Sequence, residues 1–170
     1  MSHSFDISTE SPASVEDIHI AFGREDYWLA RVASGDVTTT LDSLVVDADD
    51  TVTVHATQHL GRHLLPELVA KLIPGDLKIL VRETWKPTAD RRLRGRVTIS
   101  ATGGLGSGLA DAWLAPAGNG SELRFAGKVD IRIPLLGGKL ERAYAEGLAE
   151  NIPAVHRFTA TWIAEHGPAS

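Results

Sequence analysis

Glu83 is the carboxylate in this 170-residue sequence best placed to do chemistry. It falls in phase with Leu77, Ile79, Val81 and Trp85, so a strand of period two turns it toward an apolar face. A carboxylate buried there has a raised pKa and can act as an acid or orient a ligand hydroxyl. The bland alternatives are exposure at a bulge or strand end, or pairing with an arginine. Asp111 falls in phase with Leu109 and Trp113 and draws the same reading, so a Glu83/Asp111 pair beside one pocket is a hypothesis. Among the aromatic residues, Trp85, Trp113, Phe125 and Tyr144 lie on inferred inward faces.

Three other constellations weaken on inspection. His55, His59 and His63 stand at i, i+4 and i+8, the helical spacing of metal ligands. The alternation around them is that of a strand, where only His55 and His59 share a face, about 13 Å apart at ~3.3 Å per residue. No metal site is expected. Gly103-Gly104-Leu105-Gly106-Ser107-Gly108 suggests a phosphate loop, but Leu109 stands where a dinucleotide fingerprint needs glycine, and strand-like sequence follows. A flexible hairpin or bulge is the reading. Arg92, Arg94 and Arg96 share one face of a strand and read as a solvated outer surface.

Composition narrows the classes. Hydrophobic residues at 43% and charged residues at 23% describe an ordinary globular chain, and one domain spanning 1–170 is expected. The net charge of −5 disfavours nucleic acid as a partner. The sequence contains no cysteine, which excludes disulfides and thiolate metal sites. No apolar run approaches the ~20 residues that span a bilayer, and residues 1–10 carry no secretory pattern. The expected location is cytoplasmic, and no cofactor is expected.

The elements that must position these residues follow from periodicity. Ser4 to Thr9 alternates as a strand, and Ser14 is placed as an N-cap for a helix carrying Val15, Ile18, Ala21 and Phe22. Gly23 separates it from a second short helix with Tyr27, Trp28, Ala30 and Arg31. Six strands are then expected, over 37–46, 51–58, 76–86, 93–101, 109–115 and from Leu123 to Ile133. The last has the cleanest period of two, with Leu123, Phe125, Gly127, Val129, Ile131 and Ile133 on the buried face. Inward positions on the others include Val81, Val97 and Ile99. Asn119-Gly120 is the expected hairpin turn. Between Leu60 and Pro74 the density of leucine predicts a short helical or irregular segment. Its Leu64, Leu65, Leu68 and Leu72 either cap a pocket or pair two subunits. From Lys139 to His166 the spacing of Leu140, Ala143, Tyr144, Leu148, Ile152 and Val155 predicts one helix of ~42 Å, kinked at Pro153.

The fold class is therefore α+β, a curved antiparallel sheet in the order β-αα-β6-α around a long C-terminal helix. A single helix laid across such a sheet leaves an apolar cavity at one end. Two stretches, Leu65-Pro66 through Ile73-Pro74-Gly75-Asp76-Leu77-Lys78 to Glu83-Thr84-Trp85, and Val129-Asp130-Ile131-Arg132-Ile133-Pro134-Leu135-Leu136-Gly137-Gly138-Lys139-Leu140-Glu141, give the chain a resemblance to a known group. It resembles the START-like, helix-grip superfamily (SRPBCC), which also holds polyketide cyclases and the birch-pollen allergen type. Within it the chain looks like an uncharacterised, mainly actinobacterial family. The resemblance implies intracellular binding of a hydrophobic small molecule or lipid, with a minority of enzymes, and transfers no catalytic residue. The pocket candidates are Val81, Glu83, Trp85, Val97, Ile99, Asp111, Trp113, Phe125, Val129, Tyr144 and Leu148. The alternatives are a cyclase- or dehydratase-like enzyme on a polyketide or aromatic substrate, and an interaction module that docks through Leu60 to Ile73.

Overall fold

Segments that alternate apolar and polar side chains pair into one curved, seven-stranded antiparallel sheet. The computed structural model describes residues 2–73 and 75–167; Pro74 and the side chain of Leu64 lie outside the described residues. The strands are β1 (Ser2–Ser11), β2 (Thr38–Val46), β3 (Val52–Leu60), β4 (Leu77–Pro87), β5 (Leu93–Ala101), β6 (Gly106–Ala117) and β7 (Gly120–Ile131). Their order across the sheet is β1-β7-β6-β5-β4-β3-β2. Strands β2 to β7 thus follow one another as neighbours, while β1 closes against β7, with Phe5 opposite Gly127 and Ile7 opposite Phe125.

The connection from β1 to β2 carries helices α1 (Val15–Phe22) and α2 (Glu25–Ala33). Ser14 caps α1 as its sequence predicts, its hydroxyl accepting from the Asp17 amide at 3.1 Å. A single-turn helix α3 (Glu67–Ala70) follows a 3₁₀ turn at Arg62–Leu64, so the leucine-rich stretch is indeed short and irregular. Helix α4 (Gly137–His166) is the long one. It runs as one helix through Pro153, whose missing amide leaves the Ala149 carbonyl without its intrahelical donor. Glu141, in its second turn, is buried and accepts from the Ile131 amide at 2.8 Å, which ties the helix start to the end of β7. No helix among the described residues is long and apolar enough to cross a membrane.

The core lies between the sheet and α4, closed at one end by aromatic rings from α1 and α2. Phe22 stacks toward Trp85 with centroids 5.0 Å apart, and Tyr27 meets both Trp28 and Trp162 edge-on at 5.3 Å. Gly95, directly opposite Trp85 in the β4–β5 ladder, makes room for this indole. A Cβ there would stand 2.6 Å from the ring. Gly95→Ala is therefore expected to cost about 1–3 kcal/mol through overpacking. Urea unfolding of the two chains measures this, and an unchanged midpoint would show that the indole has slack.

The β6–β7 turn sits one residue before the expected place. Ala117 pairs with Gly120, so Gly118 and Asn119 form the turn, and Gly118 carries the positive φ of 56°. Gly120 belongs to the strand, where a Cβ would fall 2.0 Å from the Ser11 carbonyl oxygen. The close approach of β1, invisible in a local reading of Asn-Gly, decides which glycine turns the chain.

Candidate functional site: a two-chambered cavity between the sheet and the long helix

Helix α4 presents Leu148, Ile152, Val155, His156 and Thr159 to the concave face of the sheet, a stripe at helical spacing. The sheet answers with Val81, Glu83 and Trp85 from β4, Val97 and Ile99 from β5, and Phe125 and Val129 from β7. Between them lies a cavity of about 150 Å³. A second chamber of about 410 Å³ adjoins it, and Ile99, Val129 and Tyr144 line both. Leu65, Pro66 and Val69 of the irregular segment wall this outer chamber together with Ile133 and Leu140. The leucine-rich stretch therefore covers the cavity on one side, while Leu68 and Leu72 point outward and are exposed.

The outer chamber is almost wholly apolar, and the inner one ends in a small group of polar side chains. Arg31 reaches in from α2 and donates to Glu83 Oε2 at 3.3 Å. The other carboxylate oxygen of Glu83 accepts from Trp85 Nε1 at 3.1 Å. Arg31 also lies over the Trp28 ring, 4.6 Å from its centroid. Burial works against the Arg31 charge, but the Glu83 carboxylate and Tyr27 more than offset it and hold its pKa above the ordinary arginine value. Thr159 donates to the Val155 carbonyl at 3.0 Å, so the Tyr27 hydroxyl, 2.5 Å away, is the donor to Thr159. Burial pushes the Tyr27 phenol up, so it remains protonated.

His156 differs from these. It is only 5% exposed, and its Nε2 is the one buried side-chain polar atom without a hydrogen-bond partner among the described residues. Burial, reinforced by the charge of Arg31, lowers its pKa to about 4, so the ring is neutral at neutral pH. The site thus combines a charge-balanced ion pair, a neutral imidazole and apolar walls. Such an arrangement can bury an apolar molecule and orient it by one or two hydrogen bonds.

The family model described as a protein of unknown function, DUF2505, matches residues 6–163. The chain belongs to this family. An uncharacterized protein of Mycobacterium tuberculosis and one of Mycobacterium bovis are each 35% identical over 177 residues, covering 98% of this chain and 99% of the relative. Among solved structures, human STARD10 superposes with a TM-score of 0.60 at 12% identity, over 99% of this chain and 69% of that one. A START superfamily protein from Mycobacterium smegmatis gives 0.56 at 11% identity, over 95% and 99% of the two chains. Ara h 8.0201 gives 0.52 at 11% identity, over 97% and 99%. These likenesses establish the START-like, helix-grip fold for this member of the family.

Within that fold the structure brings together nine of the residues read from the sequence, namely Val81, Glu83, Trp85, Val97, Ile99, Phe125, Val129, Tyr144 and Leu148. Asp111 and Trp113 are corrections. Both lie on the outer face of β6, Asp111 bonded to Arg96 at 3.0 Å and Trp113 37% exposed beside Arg124. The inward residues of this strand are Ala110, Ala112 and Leu114, facing Val97, Gly95 and Leu93 of β5. Here two alanines point in beside Leu114, leaving space on the cavity side, while Asp111 and Trp113 point out to arginine neighbours. The Glu83/Asp111 pair is therefore absent, and Glu83 is paired with arginine instead. His55 and His59 lie on the surface, bonded to Ser43 at 3.1 Å and to Thr40 at 3.0 Å. Sequence reasoning missed Arg31 and His156 as site residues. His156 was detectable in principle, since it stands four and eight residues after the apolar Ile152 and Leu148.

Proposed function

We propose that this chain binds a hydrophobic small molecule or lipid in the cavity between the sheet and α4. The observation that carries the reading is the pair of adjoining chambers, mostly apolar in their lining, with a cluster of polar side chains in the inner one. Pockets that hold small ligands combine mostly apolar lining with a few convergent polar groups, and Arg31, Glu83, His156 and Thr159 are such a group here. The helix-grip resemblance points the same way. The nine inward residues are the proposed ligand contacts, with Glu83 holding Arg31 and Trp85 in place at the closed end.

Native mass spectrometry of gently purified protein, followed by organic extraction, tests this directly. A stoichiometric apolar molecule released on extraction is the expected result. Leu148→Trp places an indole in the inner chamber from the helix side, and it is expected to reduce occupancy at least tenfold while the chain stays folded. A bare native mass together with no uptake of a neutral solvatochromic dye such as Nile red would overturn the reading.

A further inference from the structure

The inner chamber is lined by the one buried side-chain polar atom that has no partner among the described residues, Nε2 of His156. An unmade hydrogen bond at a buried nitrogen is costly, and such groups persist where something else completes them. The neighbouring polar groups at this end have partners within the protein: Arg31 and Trp85 donate to Glu83, and Tyr27 donates to Thr159, which itself donates to Val155.

We propose that the inner chamber receives a neutral hydroxyl head group, hydrogen-bonded to Nε2 of His156, on a ligand whose apolar body extends into the outer chamber. The inference rests on the binding role proposed above and adds the chemical class of the ligand. Charge argues for a neutral head. The Arg31 charge is already balanced by Glu83, so a ligand carboxylate or phosphate would meet the Glu83 carboxylate without a free cation to offset it. Lys128, the other cation lining the chamber, is exposed, in the outward phase of β7. Nε2 of the neutral imidazole offers one hydrogen bond and no charge. A hydroxyl both donates and accepts, so it suits either tautomer of the ring. Size agrees as well: an apolar cavity of about 150 Å³ accommodates a benzene-sized group. The remainder of a longer molecule passes Ile99, Val129 and Tyr144 into the outer chamber.

Three probes of one chain length separate the head group from the body: decan-1-ol, decanoate and 1-chlorodecane. They are titrated near neutral pH against protein loaded with Nile red. Decan-1-ol is expected to displace the dye at roughly tenfold lower concentration than either of the others, the effect of one buried hydrogen bond. His156→Phe is expected to remove the advantage over 1-chlorodecane, and His156→Gln, which keeps a donor and an acceptor, to retain much of it. A second readout needs no variant. In protein labelled with ¹⁵N-histidine, the Nε2 resonance of His156 shifts on saturation with decan-1-ol and stays in place with 1-chlorodecane.

Decanoate binding as tightly as the alcohol, or an Nε2 resonance unmoved by saturating alcohol, overturns the assignment of the head group. If the dye and 1-chlorodecane bind but the alcohol has no advantage, the hydroxyl proposal fails and the cavity reading stands. If neither the dye nor any of the three probes binds, both fail together.

Discussion

Glu83→Ala lowers the stability of the fold by about 3 kcal/mol, and most of that loss disappears when Arg31 is replaced by methionine in the same chain. The reason is the asymmetry between breaking a buried ion pair and removing it. Glu83 and Arg31 side chains are 12% and 21% exposed, so water reaches the guanidinium only in part. Alanine at 83 leaves that cation unpaired beside Trp28, and it also strips the acceptor from Trp85 Nε1. Methionine at 31 removes the stranded charge and keeps the volume of the stem. A double-mutant cycle by urea unfolding is expected to give a coupling of about 2 kcal/mol, the tryptophan N–H accounting for what is not recovered. Additive single effects would mean that the two side chains act independently, contrary to the 3.3 Å contact.

His156→Gln protects the ligand-free protein against acid. The imidazole titrates at about pH 6.5 in an unfolded chain. In the fold its pKa is about 4, lowered first by burial and then by Arg31. Above the higher value both states are neutral there, and the group contributes no pH dependence. As pH falls through 6.5 the unfolded chain takes up a proton that the folded chain refuses, so stability is lost until about pH 4, where the folded state titrates too. That difference amounts to about 3 kcal/mol by linkage. Carboxylates that protonate over the same range do so in both proteins and cancel in the comparison. The groups around the ring, Arg31 of α2, Glu83 of β4 and Tyr27 beside Thr159, are also unchanged by the substitution. The stability of the native chain between neutral pH and pH 4 is thus expected to fall by about 3 kcal/mol more than that of the variant. Parallel pH profiles for the two proteins would show that His156 is not held neutral by its surroundings.

Much of this architecture is legible in the linear chain because its signals are local. The period of two in Leu123, Phe125, Gly127 and Val129 requires a half-buried strand wherever that strand sits in the sheet. The Ser14 cap depends on a residue three positions away, and the helix over 137–166 depends on a stripe repeated along its own axis. Each of these needs only neighbours within a turn or two, so composition and spacing suffice. The leucine-rich stretch is readable as short and irregular for the same reason, but whether its leucines cap a pocket or pair two subunits is not. The fold turns Leu65 and Val69 to the outer chamber and Leu68 and Leu72 outward.

The site itself depended on tertiary structure. Arg31 and Glu83 are 52 positions apart and meet only because α2 packs across the closed end of the sheet. Its spacing after Leu148 and Ile152 puts His156 on the apolar stripe of α4, but only the tertiary structure buries it near Arg31, which depresses its pKa, and leaves Nε2 without a partner. Asp111 and Trp113 show the limit most clearly. A local reading aligns the bulky residues of β6 with the core, yet the pairing of Arg96 with Asp111 and of Val97 with Ala110 turns the alanines inward. Alternation along a strand says that two faces differ. Which of them is covered is decided by the neighbouring strands and by the helix that needs the space.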